Sequence, residues 1–163
     1  MRFVLCLACL LAAGPAFAQS PIPNGQPADT TDTERELHTL LDAWHKAAAM
    51  ADLEGYFGPM SEDAMYLGTD PAERWTKAEF LEFSTPYFES KRTWDFAPRD
   101  RRFYMRDAMP DVVWFDELLD TWMGVCRGSG VLTRSDDGWK LTHYNLTVAV
   151  PNEKMQDYLK AVY

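Results

Sequence analysis

The stretch VVWFDELLDTWMGVCRGSGVL, residues 112–132, decides the fold class of this 163-residue chain. β-Branched and aromatic residues recur in two runs, which predict strands at about 111–121 and 124–134. Only Trp122 and Met123 separate the runs, a length typical of a tight hairpin turn. The two strands are therefore predicted to pair antiparallel.

The same pattern extends in both directions and predicts two further strands, at about 93–106 and 139–150. The connections at 107–110 and 135–138 are short and contain turn-forming Asp, Pro and Gly. Consecutive strands joined by short turns pair antiparallel. The second half of the chain is therefore predicted to be a four-stranded meander.

The segment before the meander has helical periodicity. Apolar residues recur every three or four positions from Thr33 to about Asp52, and Thr33 with Glu36 matches a capping box. A short helical turn is expected at 53–57, and a strand at 64–68.

A second helix is predicted to start at Thr76, which forms a capping box with Glu79. Trp75 and Phe80 occupy the two positions of a hydrophobic staple across that start. After the meander, Asn152 can cap a final helix with one apolar side. Helices followed by a sheet that buries one face on them indicate an α+β fold, a cone-shaped curved antiparallel sheet wrapped around amphipathic helices.

The N-terminal residues are predicted to be removed from the mature protein. Arg2, an apolar run and the small-residue site Ala16-Phe17-Ala18 are typical of a secretory signal peptide, residues 1–18. Residues 19–30 are predicted to be a flexible leader, and residues 31–163 the folded domain. We expect a secreted protein, most simply periplasmic in a bacterium, with no membrane association after cleavage.

Composition argues against several classes of partner. The formal charge of −9 argues against a surface that binds nucleic acid, because such surfaces are basic. Cys126 is the single cysteine beyond the signal peptide, so no disulfide is expected within the domain. Histidines 38, 45 and 143 show no metal-ligand spacing, and neither a metal nor another cofactor is predicted.

Five stretches resemble the SnoaL-like branch of the nuclear transport factor 2-like superfamily, namely LLDAWHKAAAMADLEGYF, GTDPAERW, VVWFDELLDTW, CRGSGVL and GWKLTHYNLTVAVPNE. The resemblance covers about residues 33–153. Within this branch, the sequence most resembles uncharacterised secreted members. It implies a cone that, in the family's enzymes, holds an acid–base residue. The superfamily includes isomerases, cyclases, dehydratases, ligand-binding domains and association domains, so the resemblance implies no single activity.

Strand alternation sorts the candidate site residues into two faces. With a tight turn after residue 121, Glu117 shares a face with Phe115, and continuation through the next turn adds Trp139, His143 and Asn145. The family resemblance suggests that this face lines the cone. Glu117, His143 and Asn145 are then the candidate catalytic residues, with Trp44, Phe115 and Trp139 as cavity walls over the glycines at 128 and 130.

A buried Glu117 would have a raised pKa and could act as a general acid or base. The alternative is a structural carboxylate paired with Arg127 or Arg74. Asp116 and Arg127 lie on the opposite face, where a cross-strand ion pair would support a homodimer. In the other register these two residues face the cavity, and Arg127 is then a ligand-binding candidate.

The stretch GTDPAERW, residues 68–75, is predicted to be a turn and packed corner at the mouth of the cone. Asp70, Glu73 and Trp75 are ligand-binding candidates there, with one carboxylate taking the polar end of the ligand. The alternative is a loop held together by its own charges.

Three functions are therefore considered. The first is binding of a small, partly apolar molecule in the cone. The second is an isomerase, cyclase or dehydratase reaction in which Glu117 transfers a proton. The third is an association module that dimerises through the convex sheet and has a filled cone.

Overall fold

The computed structural model describes residues 31–162, so the predicted signal peptide and the predicted leader lie outside the described residues. In chain order the elements are α1 (Asp32–Ala49), α2 (Leu53–Phe57), β1 (Met60–Leu67), β2 (Arg74–Thr76), α3 (Lys77–Glu89), β3 (Ala97–Tyr104), β4 (Val112–Thr121), β5 (Gly124–Ser135), β6 (Gly138–Val148) and α4 (Met155–Val162). A single 3₁₀ turn, Asn152–Lys154, precedes α4.

The sheet is a curved, open, six-stranded sheet with the order β2-β1-β6-β5-β4-β3. Strands β3 to β6 form the predicted antiparallel meander. The α+β class is confirmed, with one difference in the sheet: β1 pairs parallel with β6, so the sheet is mixed. The long excursion through β2, α3 and the meander makes this parallel pairing available, because parallel neighbours require a crossover connection.

The helix starts follow the capping chemistry. At α3 the predicted capping box of Thr76 and Glu79 is present, and the Trp75 and Phe80 rings stack with centroids 5.3 Å apart. At α1 the predicted cap was wrong by two residues, because Thr31 and Glu34 form the box instead of Thr33 and Glu36. The chain therefore enters α1 one half-turn earlier than its apolar pattern indicated.

Aromatic side chains fill the space between the helices and the concave face of the sheet. The fully buried ones include Trp44, Tyr56 and Tyr144, whose rings contact one another. α4 contributes no buried residue to this core. Within residues 31–162, no helix is long and apolar enough to span a membrane.

Candidate functional site

Glu117 lies inside the cone and is completely buried. One carboxylate oxygen, Oε1, is 2.7 Å from Nε2 of His45 and accepts a hydrogen bond from the Tyr144 hydroxyl at 3.2 Å. The other, Oε2, accepts a hydrogen bond from Nε of Arg101 at 2.7 Å. Both oxygens therefore have partners supplied by three different elements, α1, β3 and β6.

Arg101 links this carboxylate to the surface of α1. Its Nη1 donates to Oδ1 of Asp42 at 2.7 Å and contacts His38. The arginine side chain is only 4% exposed, whereas that of Asp42 is 63% exposed. We call Glu117, His45, Tyr144, Arg101 and Asp42 the polar cluster.

The charges of the cluster are complementary. Burial raises the pKa of Glu117, but the hydrogen bond and charge of His45 and the Arg101 guanidinium outweigh it, so the pKa of this carboxyl lies below its ordinary value of 4.5. Burial, reinforced by the charge of Glu117, raises the pKa of Tyr144 well above 10 and keeps it a donor. The predicted upward shift for Glu117 is wrong, because the sequence did not reveal the two partners that stabilise its charge.

Sequence reasoning missed most of this cluster. His45 carried a signal, since it follows Leu41 by four residues on the buried side of α1. Arg101 carried none, because it lies in a run of four consecutive charged residues, 99–102, and such a run normally faces water. The register of β3 against β4 shifts between Arg99 and Arg102, and Asp100 adopts φ 51°, at the point where Arg101 turns inward.

Two glycines of β5 make room for aromatic rings: Gly128, opposite Glu117, and Gly130, opposite Phe115. A Cβ at Gly128 would collide with the Tyr144 hydroxyl, and one at Gly130 would collide with the Phe115 ring. The predicted cavity above these glycines is therefore occupied by Tyr144 and Phe115. The predicted walls Trp44, Phe115 and Trp139 are buried in the core and line neither of the cavities described below.

His143 and Asn145 do not share a face with Glu117, which corrects the predicted placement. A bulge interrupts the pairing of β5 with β6: Val131 pairs with His143 and Leu132 with Leu141, so Thr142 has no partner residue. Because strand faces alternate with period two, one extra residue reverses every later side chain. Tyr144 therefore takes the inward position, and Asn145 donates to Thr147 at 3.1 Å instead.

The outer face of the sheet also differs from the prediction. The β4–β5 register is as expected, with Glu117 opposite Gly128 and Leu118 opposite Arg127. However, Asp116 accepts a hydrogen bond from the Tyr104 hydroxyl at 2.6 Å, and no ion pair with Arg127 forms in the described structure. Arg127 is exposed and lines neither cavity.

A cleft of about 290 Å³ opens between the β2–α3 corner, the segment 92–96 and the β4–β5 turn. Of the predicted ligand-binding residues, it brings together Glu73 and Trp75. Asp70 is not part of its lining and instead accepts a hydrogen bond from the backbone N–H of Ala72 at 2.8 Å. We call this the aromatic cleft; its further ring-bearing walls are Tyr66, Phe80, Phe83, Tyr87, Trp94, Phe96 and Trp122.

The rings of the aromatic cleft present apolar surface to solvent. Trp75 stacks on Phe83 with centroids 4.9 Å apart, and Phe83 is 42% exposed. Trp122, at the hairpin turn, is 82% exposed. The sequence showed that Trp122 lies in a turn, but nothing in it placed that turn beside Trp75.

The cleft and the polar cluster are separate. Tyr66 lines the cleft and stacks on Tyr144, which in turn donates to Glu117. A second cavity, of about 450 Å³, lies between α1 and the start of β3, where His45 and Asp42 form part of its wall. Across residues 31–162 no group of three or more His, Cys, Asp and Glu residues could hold a metal ion.

Comparisons with known proteins support the fold described above. The family model for the SnoaL-like domain matches residues 37–151. A cystatin-like domain of unknown function from Nostoc punctiforme superposes with a TM-score of 0.63 at 16% identity, covering 81% of this chain and 86% of that one. A proposed dehydratase of the nuclear transport factor 2-like family from Streptomyces avermitilis gives 0.59 at 14% identity, covering 74% and 99%.

A proposed aromatic ring hydroxylase from Novosphingobium aromaticivorans gives a TM-score of 0.56 at 19% identity, covering 71% of this chain and 87% of that one. No curated protein matches the chain at a significant level. Identities this low show a shared fold and leave activity open. The match over residues 37–151, together with the shared fold, shows that the chain belongs to the SnoaL-like family of the nuclear transport factor 2-like superfamily.

Proposed function

We propose that this protein is a secreted SnoaL-like domain that binds a small, flat, largely apolar molecule in the aromatic cleft. The observation that carries the proposal is the stacked pair Trp75 and Phe83, which lines one open cleft together with the exposed residue Trp122. Burying such rings against a flat ligand is favourable in proportion to the apolar area removed from water.

The cleft volume limits the size of the ligand. About 290 Å³ lies at the lower end of the range for small-molecule sites, so a molecule of one or two rings fits better than a steroid-sized one. Binding, not proton transfer by Glu117, is favoured, because that carboxylate lines neither cavity and both of its oxygens are occupied.

The six tryptophans provide the test. Trp75, Trp94 and Trp122 line the cleft, whereas Trp44, Trp114 and Trp139 do not. We expect bicyclic aromatic compounds to shift the indole N–H signals of the first three in ¹H–¹⁵N spectra and to leave those of the other three in place. Assignment by single Trp→Phe variants makes the comparison residue-specific.

Affinity measurements on two variants sharpen the test. Trp75→Ala should weaken binding by about tenfold, the value of one good aromatic contact. Trp114→Ala, on the outer face of the sheet, is the matched control and should leave affinity unchanged. Shifts confined to Trp114, or no shift with any compound, would contradict the proposal.

A further inference from the structure

We propose that the aromatic cleft selects an anionic aromatic ligand, a flat ring system that carries a carboxylate, and that Arg92 binds the carboxylate. This inference rests on the proposed function and names the chemical class of its ligand. The cleft has two lining residues with a formal charge at neutral pH, Glu73 and Arg92, and the two are in different situations.

Glu73 is engaged by its own turn. Its Oε2 accepts a hydrogen bond from the backbone N–H of Asp70 at 3.1 Å. The same side chain covers Gly68, where a Cβ would collide with it, and the backbone N–H of Gly68 donates to the Glu73 carbonyl at 3.0 Å. One oxygen of this carboxylate is therefore used to close the loop at residues 68–73.

Arg92 is held at the cleft by its backbone, while its side chain has no partner within the described part of the chain. The backbone N–H donates to the Tyr87 carbonyl at 2.9 Å, which fixes the residue at the end of α3. The guanidinium groups of Arg99 and Arg101 form ion pairs, whereas that of Arg92 forms no hydrogen bond or ion pair within residues 31–162. The available charge in the cleft is therefore positive.

A guanidinium beside stacked rings matches an aromatic carboxylate. The planar fork donates two parallel hydrogen bonds to a carboxylate, and the rings take the apolar part of the same molecule. The chain as a whole carries a formal charge of −9, which repels anions at a distance. Selection of an anion must therefore come from the close contact with Arg92, and the ligand carboxylate is expected beside that residue.

Three probes of nearly equal shape test the inference: 2-naphthoate, 2-naphthamide and 2-naphthylmethylammonium. We expect the carboxylate to bind about fivefold more tightly than the amide, a modest factor because Arg92 is exposed, and the ammonium to bind most weakly. Arg92→Gln should remove the preference for the carboxylate and keep the affinity for the amide. Arg127→Gln, an exposed arginine outside the cleft, is the control and should keep the preference.

The outcomes separate the two proposals. Equal binding of the three probes, or a carboxylate preference that survives Arg92→Gln in a folded variant, would overturn this inference and leave the proposed function in place. Absence of binding by all three, with unshifted cleft indole signals, would overturn both. Arg92→Lys provides a graded check, since it keeps the charge without the fork, and should retain only part of the preference.

Discussion

The polar cluster and the aromatic cleft depart from the usual burial of side chains in opposite ways: the cluster buries charged groups, and the cleft exposes aromatic rings. In the cluster, a carboxylate that is completely buried has a partner for each oxygen. The cleft is lined by a tryptophan that is 82% exposed and by a guanidinium that has no partner within residues 31–162. The two regions touch where the ring of Tyr66, in the cleft, stacks on that of Tyr144, in the cluster.

The comparison shows why a buried charge is weak evidence of catalysis. Desolvation alone would raise the pKa of Glu117 and suit it to act as an acid or base, but neighbouring positive and donor groups reverse the direction of the pKa shift. Through these partners the carboxylate joins α1, β3 and β6 inside the cone. Exposed aromatic surface, in contrast, costs free energy in water and is the better indicator of a binding site.

The largest effect is expected when the cluster is broken. Glu117→Gln removes the buried carboxylate that pairs with Arg101 and leaves the exposed Asp42 as its remaining acidic partner, and we expect the free energy of unfolding to fall by about 3–5 kcal/mol, measured by urea denaturation. Asp116→Asn, the next residue on the other face of β4, is the matched control and should cost much less. Full stability of the Glu117 variant would show that the cluster is not structural.

A double variant distinguishes loss of a pair from loss of a side chain. Arg101→Met removes the charge that loses its buried partner in Glu117→Gln, so the double variant should be less destabilised than the sum of the two single ones. Strict additivity would contradict the view that the two residues act as one unit.

The second effect is a dependence on acid pH. Because the folded-state pKa of Glu117 is below 4.5, its stabilisation is complete above about pH 4.5 and is lost as the pH falls through the folded-state pKa. The difference in unfolding free energy between wild type and Glu117→Gln should therefore narrow below pH 4.5. A difference that stays constant down to pH 3 would mean that Glu117 has the same pKa in the folded and the unfolded protein, so that its charge does not stabilise the fold.

The smallest effect on stability is expected in the cleft. Trp122→Ala removes a ring that is largely in water, and we expect the free energy of unfolding to change by less than about 0.5 kcal/mol. The same variant should weaken binding of the naphthalene probes. A large loss of stability would instead place Trp122 in the architecture and reduce the contrast between the two regions.

Much of the fold could be predicted because its signals are local. Residues 121–124 allow one hairpin, and the hairpin sets the register that places Glu117 opposite Gly128. Thr76 and Trp75 determine the start of α3 in the same way. The parallel pairing of β1 with β6 could not be predicted from local signals, because β2, α3 and the strands β3 to β5 separate the two strands along the chain.

The candidate site was predicted only in part. Trp75 and Glu73 were placed at a cavity mouth, and the structure puts them in the aromatic cleft. The inward residues of β6 were assigned correctly as far as Leu141 and wrongly after it, because a single bulge at Thr142 reverses the strand face and has no sequence signal. The partners of Glu117 come from α1, β3 and β6, which are 72, 16 and 27 residues away along the chain, beyond the reach of any local pattern.

Local chemistry in the chain was enough to specify most of the elements, the meander and the family, since hydrophobic periodicity, turns and caps act over a few residues. Tertiary structure alone decided that the Glu117 carboxylate is paired with His45 and Arg101 and that Trp122 and Arg92 line one cleft with Trp75. The physical reason is that pKa direction and cleft shape depend on which distant side chains share one volume, and packing settles that only when the whole sheet closes over its helices.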